Sequence, residues 1–416
     1  MISVDEARQK VIDTCLAKRG ELGLERVALE EALGRVLAED LCADTDQPPF
    51  DRSTKDGYAL RSADVQDVPV ELRVIGESKA GDASPPRIGA REAAQVMTGA
   101  AIPPGADAVV MVEEVESLGP APANLRADAF DSGRIRIKKS LSAGTNVSFR
   151  GNEARKGDVL VPRGRSIEVH EISLAASIGV RRPWVFNKPR VGILATGDEL
   201  VSFENEPGQN QIRNSNSYAL LAMARKSGAA ANLLGIARDD LQDLRQKIHD
   251  GLESSDCLLL TGGVSAGKYD FVEPVLKESG VEFCFDAVAI RPGKPAVFGT
   301  RGHRFVFALP GNPVSAIVTY HLFVAPLVDM LSGGEPRVPS ILNARLENTF
   351  KQPTGRRGFL PAHFEIRNGD VYVSTVRWRG SSDLAGLARS NCFLIAPEKQ
   401  AEFKEEECVK ILVPSF

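Results

Sequence analysis

The sequence predicts a multidomain α/β and β protein, in which a doubly wound α/β domain is accompanied by a helical N-terminal domain, a β-rich insert and a small C-terminal β domain. The chain has 416 residues, more than one ordinary core accommodates. Short apolar segments alternate with helical patterns from about residue 190 to 332, which is typical of a largely parallel sheet covered by helices. Apolar and polar residues alternate singly before and after that region, which favours β structure there.

The N-terminal segment carries a helix start signal. Ser3 followed by Glu6 forms a capping-box pattern, and Val4, Ala7, Val11 and Cys15 recur at helical spacing. A second helical pattern predicts a helix from about Glu25 to Leu37, before QPPF (47–50) breaks the periodicity.

The β predictions rest on period-two alternation. Val70, Leu72 and Val74 alternate with charged residues, as do Ile135 and Ile137. Near the C-terminus, the Asn-Gly pair at 368–369 separates two alternating runs, which predicts a hairpin.

Within the α/β region, VGILA, CLLL and FVFAL are short apolar strands. The segments that follow them predict helices around Leu220, in DDLQDLRQKIHDGL, in FVEPVLKESG and in VSAIVTYHLFVAPLVDML.

Composition excludes several classes of protein. The formal net charge of −4 lacks the basic field expected of a nucleic-acid-binding protein. We find no apolar run long enough to cross a membrane and no secretory h-region, so we expect a cytoplasmic protein. The six cysteines show no C-x-x-C pairing and predict reduced thiols, and the five scattered histidines disfavour a His-based metal site or a Ser-His-Asp triad.

Three predicted strand ends carry glycine together with hydroxyl or carboxylate groups: TGDEL (196–200), TGGVSAGKYD (261–270) and LPGNPVSA (309–316). A tight turn explains any one of them, but three at one edge of a sheet favour a site for a phosphate-bearing ligand. There is no Walker A sequence and no G-x-G-x-x-G after the first strand, which disfavours a nucleotide triphosphatase or a nicotinamide dehydrogenase. The candidate binding residues in these loops are Thr196, Gly197, Gly262, Gly263, Ser265, Pro310, Gly311, Asn312, Pro313 and Ser315.

A basic turn and several carboxylates complete the candidate site. In RPGKP, Arg291 and Lys294 flank Gly293; the turn is either a solvated basic loop or a cradle for an oxyanion. Carboxylates beside a phosphate loop would suit Mg²⁺, although helix capping alone accounts for Asp239 and Asp240. A turn likewise accounts for Asp56-Gly57.

Six segments in order give the chain a resemblance to a known family. PPFDRSTKDGYAL, MTGAAIPPGADAVVMVEEV, ATGDEL, TGGVSAGKYDF, RPGKPAVFG and LPGNPVSA resemble the molybdopterin molybdenumtransferases, which include the gephyrin E domain. The resemblance implies a helical domain (1–46 with 144–180), a β insert (47–143), a molybdopterin-binding α/β domain (181–332) and a C-terminal β-barrel (333–416). It implies a homodimer that converts adenylylated molybdopterin and molybdate to molybdenum cofactor and AMP with Mg²⁺. Molybdopterin adenylyltransferase and molybdoenzyme apoproteins would be its protein partners.

The resemblance also assigns roles to residues at matching positions. It implies catalytic roles for Asp56, Glu199, Asp239 and Asp270, with Glu199 and Asp239 as metal ligands. It adds Thr98, Glu153, Arg291, Lys294 and Ser381 to the substrate-binding set.

Several positions depart from the family pattern. Lys55 replaces the usual Met, Asn152-Glu153 replaces Glu-Asp, and Lys268 stands where an acid is common. Basic residues usual in the family are missing at Ala287 and in Phe359-Leu-Pro361; the candidate replacements are Arg356, Arg357, Arg377 and Arg379. The departures suggest a diverged paralogue with altered metal preference or reduced activity. Two rival functions follow: a molybdopterin adenylyltransferase, disfavoured because Val264 and Ser265 interrupt its usual Gly-Gly-Thr-Gly, and a non-catalytic carrier or scaffold that binds the cofactor.

Overall fold

A computed structural model describes residues 1–118, 133–263, 271–337 and 339–414. The chain forms two compact units. The first contains residues 1–39, 163–172 and 182–416, and the second contains residues 40–162 and 173–181. The predicted four-domain division stays a prediction, and each unit is described by itself.

The first unit contains a six-stranded sheet with helices on both faces, as predicted. Its four parallel strands are followed across the sheet by two antiparallel ones. In spatial order the strands are Ala230–Ala237, Arg190–Thr196, Cys257–Thr261, Arg304–Leu309, Val297–Arg301 and Glu282–Phe285. The helices are Asn216–Lys226, Leu241–Ser254, Val272–Glu278, Pro313–Thr319 and Ala325–Leu331, with a π-helical turn at Tyr320–Val324 joining the last two.

The N-terminal helix confirms the capping-box prediction. It spans Val4–Lys18, the Glu6 amide donates to Ser3 Oγ (3.2 Å), and the Ser3 amide donates to Glu6 Oε2 (2.8 Å). Its predicted apolar positions are buried in the same core as the α/β sheet. These positions are Val4, Ala7, Val11 and Cys15.

The helix predicted from Glu25 to Leu37 is wrong. Leu24–Arg26 is a strand paired with Trp184–Phe186, and only a single 3₁₀ turn forms at Leu29–Glu31. The amide of Leu37 donates to the carbonyl of Arg165 (2.9 Å). Backbone partners distant in sequence therefore override a weak local helical pattern.

The C-terminal part of the first unit is a small closed β-barrel, which confirms the prediction. Asn368 and Gly369 adopt positive φ angles of 53° and 90° in the predicted hairpin, with Arg367 paired to Asp370. The short strand Ile290–Arg291 joins the barrel by parallel pairing with Arg357 and Gly358. The barrel strands are Ser340–Leu346, Arg357–Arg367, Asp370–Thr375, Cys392–Ala396 and Cys408–Val413, with a short pair Phe350–Lys351 and Glu402–Phe403 and a helix at Leu384–Leu387.

The second unit is built on another six-stranded sheet, and the predicted alternation is borne out. Leu72, Val74, Ile135 and Ile137 are buried and Val70 is partly buried, while the charged residues between them are not buried. The strands in spatial order are Ala108–Met111, Gly57–Leu60, Glu92–Val96, Val70–Ser78, Arg134–Ile137 and Val115–Ser117. Two short strand pairs also form: Arg52–Ser53 pairs with Val147–Ser148, and Leu41–Cys42 pairs with Val159–Val161. The last five residues of the helix Val169–Ser177 belong to this unit.

One helical segment requires a correction to the sequence analysis. Residues Pro313–Leu331 are long and apolar enough to cross a membrane, with a mean hydropathy of 1.7. However, 83% of an 18-residue stretch within this segment is buried inside the fold. Its apolar character is explained by its position as the central core helix of the α/β domain.

Candidate functional site

A cleft of about 1190 Å³ lies at the carboxyl ends of the parallel strands in the first unit. This is the edge where doubly wound sheets bind ligands. All three glycine-containing strand ends and the basic turn contribute to it, so the structure brings together most of the predicted site. The predicted residues that line the cleft are Thr196, Gly197, Glu199, Asp239, Gly262, Gly263, Arg291, Gly293, Lys294, Pro310, Gly311, Asn312, Pro313, Ser315 and Ser381.

The loop that contains Gly262 packs too closely against Thr196 to accept a side chain at that position. Gly262 has a φ of 98°, and a Cβ there would lie 2.5 Å from the carbonyl oxygen of Thr196. A Cβ at Gly311 would lie 3.4 Å from the α-carbon of Gly262. Glycine is therefore required at 262 both for its backbone conformation and for the close approach of neighbouring loops.

The Thr196 hydroxyl is a buried polar group in the wall of this cleft. The residue is 3% exposed, and within the described part of the chain its Oγ1 has no hydrogen-bond partner. Leaving a buried hydroxyl unsatisfied costs about 1–3 kcal/mol. A polar substrate group that reached Thr196 would recover that cost.

Four cationic side chains line the cleft: Arg213, Arg291, Lys294 and Arg356. Arg291 and Lys294 come from the predicted basic turn, and Arg356 is the one candidate replacement that lines the cleft. Arg291 Nη1 donates to the Pro353 carbonyl (3.1 Å). Burial, and then the charge of Arg356, lower the pKa of Arg291, which still remains protonated. The positive charges of Arg291 and Arg356, close enough for Arg356 to lower the pKa of Arg291, favour an anionic ligand.

Arg357 has a different place. It forms ion pairs with Asp5 (2.9 Å) and Glu398 (3.1 Å) and is therefore committed to structure. Arg377 and Arg379 do not line the cleft. Of the four arginines proposed from sequence, Arg356 alone supplies positive charge there.

Two carboxylates, Glu199 and Asp239, also face the cleft. The Asp239 amide donates to Asp198 Oδ1 (3.1 Å), so the two strand-end loops are connected. Asp240, by contrast, caps the helix Leu241–Ser254, accepting from the amides of Gln242 and Asp243 at 3.0 and 2.9 Å. The capping explanation from sequence is thus correct for Asp240 and unnecessary for Asp239.

The donor set in the cleft fits Mg²⁺. This ion takes one or two carboxylates, and substrate phosphates and waters fill its remaining positions. Glu199 and Asp239 supply two carboxylates beside loops suited to phosphate. Over residues 1–118, 133–263, 271–337 and 339–414, no three His, Cys, Asp or Glu side chains come together as a complete metal site.

Asp56, Thr98 and Glu153 belong to the second unit. Asp56 Oδ1 accepts from both the amide (2.6 Å) and the hydroxyl (3.0 Å) of Thr98. These two hydrogen bonds lower the pKa of Asp56, so the carboxylate stays ionised. Glu153 pairs instead with Arg52 at 2.6 Å. The predicted residues Ser265 and Asp270, and the departure at Lys268, lie outside the described residues.

Sequence analysis missed several residues that line the cleft. Asn216, Thr261 and Arg213 are among them, together with Trp378 from the barrel region. The Asn-Ser-Asn run at 214–216, directly before a helix, was an available signal for Asn216. No local pattern indicated Trp378.

Comparisons with known proteins agree with this architecture. Residues 2–179 match the MoeA N-terminal region (domain I and II), residues 192–330 a probable molybdopterin binding domain, and residues 343–413 the MoeA C-terminal region (domain IV). The molybdopterin molybdenumtransferase of Bacillus subtilis is 34% identical, covering 99% of this chain and 94% of the relative. The Staphylococcus aureus (strain Mu50) protein of the same name is 32% identical, covering 99% and 95%.

Solved structures are similar over the whole chain. A molybdopterin biosynthesis MoeA protein from Pyrococcus horikoshii has a TM-score of 0.77 and 31% identity, covering 100% of both chains. A second structure of a P. horikoshii MoeA protein has a TM-score of 0.82 and 28% identity, covering 99% of this chain and 100% of that one. The resemblance seen in the sequence motifs is therefore confirmed, and the chain belongs to the MoeA family, whose curated relatives are named molybdopterin molybdenumtransferase.

Proposed function

We propose that this protein is a molybdopterin molybdenumtransferase, converting adenylylated molybdopterin and molybdate to molybdenum cofactor and AMP. The single observation that carries the proposal is the convergence of three glycine loops, two carboxylates and four cations in one cleft. The full-length similarity to relatives of that name supports it, whereas an adenylyltransferase would need no equivalent of the β-barrel and the insert.

The glycine loops bind the phosphate-bearing substrate. The glycine at 262 lets its loop pack against Thr196, and the loops containing Gly262 and Gly311 both line the cleft in which the anion would bind. The Thr196 hydroxyl is the buried donor that a phosphate oxygen satisfies. In the reaction an oxygen atom from water adds to the pyrophosphate as its P–O bond breaks and AMP leaves. The two dithiolene thiols then bind molybdenum, and one oxygen of molybdate leaves as water with their two protons.

The cations hold the oxyanion. Arg291 and Arg356 present planar guanidinium groups, and Lys294 is a point charge beside them. A fixed cluster of this kind concentrates molybdate near the bound pterin, so catalysis gains from proximity and from electrostatic stabilisation.

Glu199 and Asp239 are the residues that would hold Mg²⁺. The ion would supply charge neutralisation on the pyrophosphate oxygens. Asp56 and Thr98 form a second functional pair, in which the Thr98 hydrogen bonds hold the carboxylate ionised. Because their motifs resemble those of the family, we assign Glu153, Ser265, Asp270 and Ser381 to the same reaction. The proposal also includes a homodimer, a cytoplasmic location and molybdoenzyme apoproteins as the partners that receive the cofactor.

The test is AMP release from adenylylated molybdopterin by purified protein with Mg²⁺, with and without molybdate. Release that depends on molybdate supports the proposal, and the same assay with tungstate identifies the preferred metal. Tight binding of the pterin without AMP release would replace it with the carrier function.

A further inference from the structure

Asn216 connects two of the loops that form the cleft. It is the first residue of the helix Asn216–Lys226 and is half-buried. Its Nδ2 donates to Thr261 Oγ1 (2.9 Å) and to the carbonyl oxygen of Gly311 (2.7 Å). A carboxamide nitrogen carries two hydrogens, so both bonds form at the same time.

The two acceptors lie where the sheet ends. The strands Cys257–Thr261 and Arg304–Leu309 are paired in register up to Thr261 and Leu309. Among the described residues, the last backbone hydrogen bond between them runs from the Gly262 amide to the Leu309 carbonyl (3.2 Å). Beyond that point the backbone hydrogen bonds of the sheet no longer connect the two loops. Asn216, at the start of a helix, connects them through its side chain.

The loops need such a restraint because they are rich in glycine. Gly262 and Gly263 both have positive φ angles, and glycine loses more conformational freedom on ordering than other residues do. A flexible loop must be ordered when the ligand binds, and that ordering weakens binding. A side chain that orders both loops beforehand removes this cost.

We propose that Asn216 is a positioning residue, which holds the 261–263 and 310–312 loops in register for one phosphate-bearing group of the substrate. This inference rests on the proposed function for the identity of the substrate. Asparagine suits the role because a short side chain must donate twice. Aspartate has no donor when ionised, and serine has only one.

The test compares Asn216→Ala and Asn216→Asp with a matched control. Asn348→Ala is that control: Asn348 also makes two bridging hydrogen bonds, with Thr375, but it lies in the barrel and does not line the cleft. Both alanine variants lose two hydrogen bonds, so their effects on melting temperature should be similar.

The readouts are KM for adenylylated molybdopterin, kcat, and amide hydrogen exchange of peptides covering 257–263 and 309–312. Asn216→Ala should raise KM by roughly 10-fold, since each lost hydrogen bond is worth a factor of about 2 to 12, and leave kcat within a few-fold. It should also speed exchange in both peptides. Asn216→Asp should raise KM further, because its carboxylate faces the Gly311 carbonyl and adds negative charge beside a phosphate site. Asn348→Ala should change neither KM nor the exchange of these peptides.

The exchange comparison requires no substrate, and binding of molybdopterin can be followed by its own fluorescence. Wild-type protein that released no AMP would refute the proposed function, while exchange and molybdopterin affinity would still decide the role of Asn216. Exchange and affinity in Asn216→Ala that match Asn348→Ala would overturn the inference.

Discussion

Replacing Gly262 with alanine should destabilise the sheet at the place where the cleft forms. The backbone there has a φ of 98°, and holding a residue with a side chain in such a region costs about 1–3 kcal/mol. The new Cβ would also lie 2.5 Å from the carbonyl oxygen of Thr196 and 2.9 Å from its Oγ1. Because the first of these atoms is backbone, the strands must separate, which adds about 1–3 kcal/mol of overpacking.

Gly235 provides the matched control. It lies in the same sheet and has a φ of 92°, but a Cβ there meets no heavy atom within 4 Å. Gly235→Ala should therefore carry only the conformational cost. The free energy of unfolding of Gly262→Ala should fall by about 1–3 kcal/mol more than that of Gly235→Ala.

Urea unfolding followed by tryptophan fluorescence measures this difference. The chain has 2 tryptophans, Trp184 and Trp378, and both belong to the first unit, so the signal reports on that unit. The folded Gly262→Ala protein should also bind molybdopterin more weakly than wild type, an effect separate from its lower stability. Equal unfolding midpoints for the two alanine variants would show that close packing at Gly262 does not constrain the loop.

Three further predictions follow from named contacts. Asp239→Asn should abolish Mg²⁺-dependent AMP release and keep the wild-type melting temperature. Asp240→Ala should lose about 1 kcal/mol of stability and keep its activity, because Asp240 only caps a helix. The reverse pattern would show that the two residues have the opposite roles. Burial lowers the pKa of His321 to about 4 from 6.5. Between these pH values the unfolded state therefore binds more protons than the folded state. The free energy of unfolding should fall as the pH drops from 6.5 to 4, by at most about 3 kcal/mol. In His321→Gln that part of the pH dependence should disappear. The free energy of unfolding would be measured in urea at pH 7 and at pH 5 for both proteins. The same difference between the two pH values in wild type and in His321→Gln would contradict the burial argument. Thr98→Val should raise the pKa of Asp56 toward its ordinary value, measured by NMR titration, because the hydroxyl hydrogen bond is lost; an unmoved pKa would mean that the Thr98 amide alone accounts for the shift.

Features encoded by neighbouring residues could be predicted from the sequence. The capping box at Ser3 and the hairpin at Asn368-Gly369 depend on contacts within three or four positions, and both are confirmed. The glycine loops were also found, because strand, turn and helix follow one another in the chain. The convergence of these loops followed from a general property of parallel sheets, whose strand ends share one edge.

Features that depend on distant partners could not be predicted. Residues 25–37 have a helical pattern, but backbone groups in this stretch pair with residues 165–167 and 184–186 instead. Arg356 reaches the cleft because Ile290–Arg291 pairs with the start of a barrel strand, and no local pattern encodes that pairing. The choice between Asp239 and Asp240 as the capping residue likewise required the hydrogen bonds of the folded helix.

The most direct test of the central claim, that one cleft couples pyrophosphate cleavage to metal transfer, is the ratio of products. Purified protein would be given adenylylated molybdopterin, Mg²⁺ and radiolabelled molybdate, and molybdenum in the pterin product would be counted against released AMP. We predict equal amounts of the two, with no AMP formed when molybdate is omitted. AMP release without molybdenum in the pterin would show a hydrolase, and molybdenum uptake without AMP release would show that the cleft does not couple the two events.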